Sequence, residues 1–197
     1  MVGSSGTFGL RQSVFHRDRT AGMSVTSYFL ARTLYDLLNL LRMSMIFISL
    51  FYMMSSPRGD WGSWFAVVIA LFWAGQGVSY VVSTLVPHHR GSNTIAIVLA
   101  VCFSVTSGLL PTLKVVEGWG PMRVFWYLSY NRWGAEALTI LGASGAETAG
   151  RMDVALTAVG YNPDNFAIDV GMIVLLGFMW RCIAYVALRR SKPSASF

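Results

Sequence analysis

The chain alternates long apolar runs with short polar breaks. Four runs approach or exceed the roughly 20 residues that a helix needs to cross a ~30 Å hydrocarbon core. They cover residues 34–54, 64–86, 94–113 and 168–188. The breaks between the first three runs are rich in Pro, Gly and charged residues, which is typical of turns. The pattern therefore predicts an all-α fold, a polytopic membrane helical bundle with four transmembrane helices.

Composition supports the membrane class and excludes an ordinary soluble domain. Hydrophobic residues make up 54% of the chain and charged residues only 12%, whereas soluble domains carry about 25% charged residues. The net charge of +6 comes from basic residues near the ends of the apolar runs, so we expect no nucleic-acid partner. Residues 114–167 are mixed in character and are predicted to lie outside the membrane.

The distribution of basic residues predicts the orientation. The N-terminal segment, the break at His88–Arg90 and the tail after Arg189 are the basic segments, and with four spans all three lie on one side. Cytoplasmic loops of membrane proteins carry the excess of Lys and Arg. We therefore expect a multi-pass protein with its N- and C-termini in the cytoplasm.

Four charged residues fall within or beside the apolar runs, namely Arg32, Asp36, Arg42 and Arg181. Arg32 and Asp36 are four residues apart and are placed to pair on one helix face. A charge near the bilayer centre costs ~2.5–3.5 kcal/mol on insertion scales, so such residues face a bundle interior, a partner or a cavity, or they snorkel. A structural role and a transport role both stay open for each.

The third apolar run carries small residues at four-residue spacing, which are Ala96, Ala100, Ser104 and Gly108. Small residues on one face let helices approach closely in lipid. This face is interpreted either as a helix-packing surface or as the border of a substrate cavity.

Motifs for catalysis are absent from the sequence. No G-x-x-x-x-G-K-[ST] phosphate-binding loop occurs, so we expect no enzyme activity, no catalytic residues and no cofactor in this chain. His88 and His89 are adjacent and would point to different faces of a helix, which makes them a poor metal pair, and we predict no metal site. A membrane-embedded enzyme that uses these histidines is an alternative with little support.

Several blocks of the sequence match known motifs. Before the first span, the pattern F-x-R-E-x-x-x-G-x-S-x-x-A-Y-F-L-A-K-x-x-x-D is matched by Phe15, Arg17, Asp18 in place of Glu, Gly22, Ser24, the run Tyr28–Arg32, and Asp36. Further matches are Ser107–Leu110 with S-G-L-L, Tyr127–Leu138 with Y-x-S-x-x-R-Y-G-x-E-A-L, and Trp180–Tyr185 with R-x-x-A-F. Together these blocks resemble the G-subfamily (White/Brown-complex type) of ATP-binding cassette (ABC) transporters.

The resemblance implies a division of the chain. Residues 1–27 would be a cytoplasmic coupling segment, and residues 28–197 the C-terminal four spans of an ABC-2 type membrane domain, the last four of the family's six. Contacts to the nucleotide-binding domain would come from Phe15, Arg17, Asp18, Gly22, His88, His89 and Arg90.

The resemblance also implies a substrate pathway. Val101, Ser104 and Val105 would line a central cavity, and Leu109 and Leu110 would gate it toward the outside. Residues 118–140 would form an external re-entrant helical region between the third and fourth spans.

By analogy, the chain would be part of an ATP-driven exporter that moves hydrophobic or lipid-like substrates by alternating access. Its partners would be membrane lipid, a nucleotide-binding domain that holds ATP and Mg, and a second transporter half in a homo- or heterodimer. The plasma membrane is the expected location. The alternative is a truncated, non-transporting scaffold or regulatory partner of full-length transporters.

Overall fold

The computed structural model describes residues 22–57, 59–86, 89–108, 111–143, 154 and 156–190. Within these ranges every regular element is a helix, which confirms the predicted all-α class. The helices are α1 Val25–Ser55, α2 Trp61–Leu85, α3 His89–Val105, α4 Leu113–Glu117, α5 Arg123–Leu128, α6 Tyr130–Ala143 and α7 Phe166–Arg190, with 3-10 turns at Gly120–Met122 and Pro163–Asn165.

Side-chain caps fix where the first two long helices begin. The Ser27 N–H donates to Ser24 Oγ at 3.1 Å at the start of α1. The Ser63 N–H donates to Asp60 Oδ2 at 3.1 Å at the start of α2. These caps satisfy N–H groups that have no partner inside the helix. Between the two helices, Ser56 adopts φ 40° and ends α1, so the turn lies where the sequence predicts it.

Three helical segments are long and apolar enough to cross a membrane, namely α1, α2 and Pro163–Arg190. The apolar part of α3, Asn93–Val105, is shorter than a span requires. The described residues therefore support an integral membrane protein with three spans by length, and the fourth span stays a prediction.

The position of α3 corrects the predicted third segment. The helix begins at His89, so residues 89–93 form its first turns and not a loop, and it ends at Val105 and not at residue 113. Its end is followed by Gly108 with φ +85°, a backbone conformation that glycine adopts without steric cost. Pro111 then supplies no N–H to continue a helix.

The long helices form a bundle with two distinct ends. At one end, named here the basic end because α7 finishes there with Arg189 and Arg190, Phe29 of α1 packs against Tyr80 of α2 and Leu188 of α7. Helices α2 and α7 therefore run parallel and α1 antiparallel to them. At the opposite end, Ile48 of α1 packs with residues of α2 and α6.

The contact between α2 and α7 is the most extensive among the described helices, and glycines make it close. A Cβ at Gly77 would lie 2.9 Å from the Gly177 carbonyl oxygen, and a Cβ at Gly177 would overlap the Trp73 ring. Only residues without a side chain fit at these two positions. This close approach brings polar side chains of both helices into contact.

Candidate functional site

Arg181 of α7 is the centre of a buried polar network in the bundle. It is 5% exposed, and its Nη1 donates to the carbonyl oxygens of Trp73 at 2.7 Å and Gly177 at 3.2 Å. Its Nη2 donates to Gln76 Oε1 at 3.0 Å. The guanidinium also lies on the Trp73 ring, where cation–π attraction adds to the hydrogen bonds.

The network continues to α1 through Gln76 and Tyr80 of α2. Gln76 Nε2 donates to the Asp36 carbonyl oxygen at 3.2 Å, and the Tyr80 hydroxyl donates to Asp36 Oδ2 at 2.7 Å. Arg32 Nε lies 3.8 Å from the same Oδ2. Three helices are therefore joined by polar groups that would each be costly to bury alone.

Of the four charged residues that the sequence selected, the structure joins Arg32, Asp36 and Arg181 in this network and leaves Arg42 out. Arg42 is exposed and donates to Asn39 Oδ1 of its own helix at 2.7 Å. The predicted pairing of Arg32 with Asp36 is present as a long contact, because Tyr80 holds the carboxylate more closely.

Helix α3 turns one side to the bundle and leaves the other exposed. Ala96 is buried and Leu99 and Phe103 are partly buried against the core. Val101 and Val105 are 58% and 54% exposed. The small-residue face of α3 is interpreted from the sequence as a packing surface or as a cavity border. Ala96 packs against the bundle, whereas Ser104, on the same face, is exposed.

A second buried charged cluster lies toward the opposite end. Arg132 Nη2 of α6 lies 3.2 Å from Glu136 Oε2, and both side chains are almost fully buried. Glu136 Oε1 accepts from the Asn162 N–H at 3.0 Å. Arg132 also lies 3.7 Å from the centre of the Trp133 ring. Asp169, in the first turn of α7, is fully buried beside this pair.

Tyr161 connects the cluster to the segment that follows α3. Burial, followed by the nearby carboxylate of Glu136, raises the pKa of Tyr161 to about 12, so its hydroxyl is protonated and donates to the Ser107 carbonyl oxygen at 3.2 Å. A Cβ at Gly108 would lie 3.5 Å from the Tyr161 hydroxyl and 3.7 Å from Arg132 Cγ.

Several predicted site residues lie outside the described residues. These are Phe15, Arg17, Asp18, His88, Leu109 and Leu110, and the side chains of His89 and Arg90 are likewise not described. Gly22 is described, with φ +96° just before the cap of α1. The backbone of residues 89–90 lies in the first turn of α3.

Sequence reasoning missed the polar partners of the selected charges. Gln76 is a polar residue inside an apolar run, and that position alone makes it a candidate for a buried polar contact. Arg132 and Glu136 have the four-residue spacing of a helical ion pair, but they lie in a region predicted to be external. Asp169 stands at the start of an apolar run, where a solvated end residue is the ordinary interpretation.

Comparison with known proteins assigns the family. The family model described as "ABC-2 type transporter" matches residues 1–193. The chain belongs to the ABC-2 type transporter family. Among its relatives, ABC transporter G family member 25 of Oryza sativa subsp. japonica is 31% identical over 94% of this chain. ABC transporter G family member 28 of Arabidopsis thaliana is 27% identical over 92% of it.

The chain spans only part of the length of these relatives, namely 18% of the rice protein and 16% of the Arabidopsis protein. The family model shows the ABC-2 type, and these relatives are named as members of the ABC transporter G family. The resemblance found in the sequence is thereby confirmed. The family assignment also agrees with three apolar helices long enough to span a membrane.

Proposed function

We propose that this chain is part of the membrane domain of an ATP-driven exporter that moves hydrophobic or lipid-like substrates by alternating access. The observation that carries this proposal is the exposed side of α3. Val101, Ser104 and Val105 share an apolar surface with one hydroxyl group, while the other side of the same helix packs on the bundle. Such a wall suits an amphipathic substrate.

The described helix ends next to the proposed coupling elements lie at the basic end. Gly22 precedes α1, and α2 ends at Leu85 just before α3 begins at His89. Phe29, Tyr80 and Leu188 pack together at this end, so the start of α1 and the end of α2 lie on one side of the bundle. A nucleotide-binding domain docked there would push both segments, and we propose this as the cytoplasmic side.

Leu109 and Leu110 are proposed as the outer gate. Tyr161 contacts the chain on both sides of these two leucines. Its hydroxyl donates to the Ser107 carbonyl oxygen, and its side chain packs with Leu113. A pair of leucines between two fixed points would close an apolar constriction.

Helix α6 supports the proposed re-entrant region. The ring of its first residue, Tyr130, has its centre 5.2 Å from that of Phe103 of α3, and Leu141 near its end packs with Trp64 at the opposite end of the bundle. On this proposal the chain would enter the bundle through α5 and return along α6. This region would shape the cavity from the outer side.

The proposal places ATP and Mg in the nucleotide-binding domain and requires a second transporter half, either identical or different. The plasma membrane is the proposed location. Movement of the nucleotide-binding domains would be transmitted to α1 and α3 and would switch the cavity between its two openings.

A vesicle assay tests the proposal on the natural transporter that contains this chain. ATP-dependent uptake of a fluorescent lipid analogue is measured for the wild type and for Val101→Trp. The control is Val186→Trp on α7, because Val186 is comparably exposed at 45% against 58% for Val101. We expect Val101→Trp to lower the initial rate several-fold and Val186→Trp to leave it unchanged.

Equal rates for the two tryptophan variants would contradict a substrate wall on α3. Uptake that does not depend on ATP in the wild type would overturn the exporter proposal and favour the regulatory-partner alternative.

A further inference from the structure

Asp169 is a fully buried carboxyl group that makes no hydrogen bond to the described residues. Its exposure is 0%, and neither Oδ1 nor Oδ2 has a hydrogen-bond partner there. Buried polar groups in proteins are nearly always bonded, and a buried charge without a partner is strongly unfavourable. The position of Asp169 in the first turn of α7 offers at most about half a positive charge from the helix dipole.

The groups that face Asp169 supply too little positive charge. Glu136 and Arg132 of α6 act on it electrostatically, and Tyr161 stays neutral because its pKa is about 12. Arg132 is the one cation of this cluster among the described residues, and it lies 3.2 Å from Glu136. Two ionised carboxylates against one guanidinium would leave a net charge of −1 in a buried site.

Arg132 has spare hydrogen-bonding capacity but no second charge. Its Nε and Nη1 make no hydrogen bond to the described residues, and the guanidinium lies near the rings of Trp133 and Tyr127. A water molecule bridging Nη1 to Asp169 would satisfy donors and acceptors. It would not change the charge count, and the low local dielectric makes an uncompensated charge costly.

We propose that Asp169 holds a proton, which makes the cluster of Arg132, Glu136 and Asp169 electrically neutral. A proton fits this site better than a metal ion. Within the described ranges no group of three His, Cys, Asp or Glu side chains is arranged to hold a metal. A carboxyl group that is buried near another negative charge ordinarily takes up a proton.

The proton site contacts Ser107 and Gly108, which precede the proposed gate in the chain, and this step rests on the proposed function. Arg132 and Tyr161 both pack against Gly108, and Tyr161 holds the Ser107 carbonyl. Loss of the proton leaves a buried negative charge that only entry of water can stabilise. The packed state therefore binds the proton more tightly than the opened state, and its stability falls as the proton is released with rising pH.

Infrared difference spectroscopy of the natural protein in lipid nanodiscs tests proton binding without any transport assay. We expect a protonated-carboxyl band near neutral pH that disappears as the pH is raised. Asp169→Asn should abolish this band. Asp164→Asn is the matched control, because Asp164 is exposed five residues earlier in the chain, and it should leave the band unchanged.

A wild-type spectrum with no protonated-carboxyl band would overturn the proposal and needs no variant. A band that persists in both Asp169→Asn and Glu136→Gln would also overturn it, because the proton would then belong to another group, such as Asp36. Thermal unfolding against pH gives a second measure. The midpoint should fall with rising pH in the wild type and stay flatter in Asp169→Asn, and parallel curves would contradict the inference.

Discussion

The guanidinium carbon of Arg181 lies 3.3 Å from the centre of the Trp73 ring, and its Nη1 donates to the Trp73 carbonyl oxygen at 2.7 Å. A cation on α7 is therefore bound by both the ring and the backbone of one residue on α2. The same guanidinium reaches Gln76, which bonds α1. This arrangement ties three helices together inside an apolar bundle.

Replacing Arg181 with Lys should destabilise the bundle although it keeps the charge. A lysine cannot reproduce the planar fork that bonds Trp73, Gly177 and Gln76 together. Hydrogen bonds to a charged group contribute about 1.5–3 kcal/mol each, so we expect the free energy of unfolding to fall by about 2 kcal/mol or more. Denaturant unfolding of the protein in detergent measures this free energy.

The control for this substitution is Arg42→Lys, since Arg42 is exposed and bonds only within its own helix. Its effect should stay within about 0.5 kcal/mol, as for most surface changes. Equal losses for the two variants would contradict a special role of the Arg181 network.

Gly177→Ala should separate α2 from α7, because the added Cβ would overlap the Trp73 ring. Overpacking of this kind costs about 1–3 kcal/mol. Gly171→Ala on the same helix is the matched control, since nothing lies within 4 Å of its Cβ position. The control should be neutral or stabilising, because alanine is the better helix former by about 1 kcal/mol. A neutral Gly177→Ala would show that the helices are not packed so closely.

Tyr161→Phe should loosen the segment after α3 by removing the hydrogen bond to the Ser107 carbonyl. A net hydrogen bond contributes about 1 kcal/mol, so backbone hydrogen exchange around residues 104–116 should become about fivefold faster. In the wild type the hydroxyl contributes fully below its ordinary pKa of 10.0 and loses this contribution only as pH rises through about 12. The bond should therefore persist throughout the physiological pH range.

Tyr185→Phe serves as the control for this experiment. It removes a hydroxyl contact with Thr26 at the basic end, far from Ser107. Exchange in residues 104–116 should not change in this variant. Acceleration of the same size in both would mean that Tyr161 acts through general stability and not through Ser107.

The paired change Leu109→Ala with Leu110→Ala should make the natural transporter leakier or uncouple it from ATP use, because smaller side chains cannot close an apolar gate. The measurement is ATP hydrolysed per substrate moved in vesicles. Leu34→Ala with Leu38→Ala is the control pair, since both leucines are exposed on α1 at 64% and 65%. Unchanged coupling in the Leu109 and Leu110 variant would show that the gate assignment is wrong.

Much of the long-helix pattern could be predicted from the sequence, because apolar runs longer than about 18 residues have few other stable structures. The sequence places the end of α3 too late, because Leu109 and Leu110 extend the apolar run beyond Thr106, Ser107 and Gly108. Just beyond this end Gly108 takes a positive φ, and Tyr161, more than fifty residues away, donates to the Ser107 carbonyl oxygen. No local pattern contains that contact.

The sequence by itself determined the membrane class, the family, the approximate long helices and the presence of charged residues inside them. These follow from composition and spacing along the chain. The tertiary structure decided which charges are joined. It pairs Arg181 with Trp73 and Gln76, leaves Arg42 exposed, and brings Asp169 to Arg132 and Glu136. These contacts join residues that are far apart in the sequence, so they exist only once the helices have packed against one another.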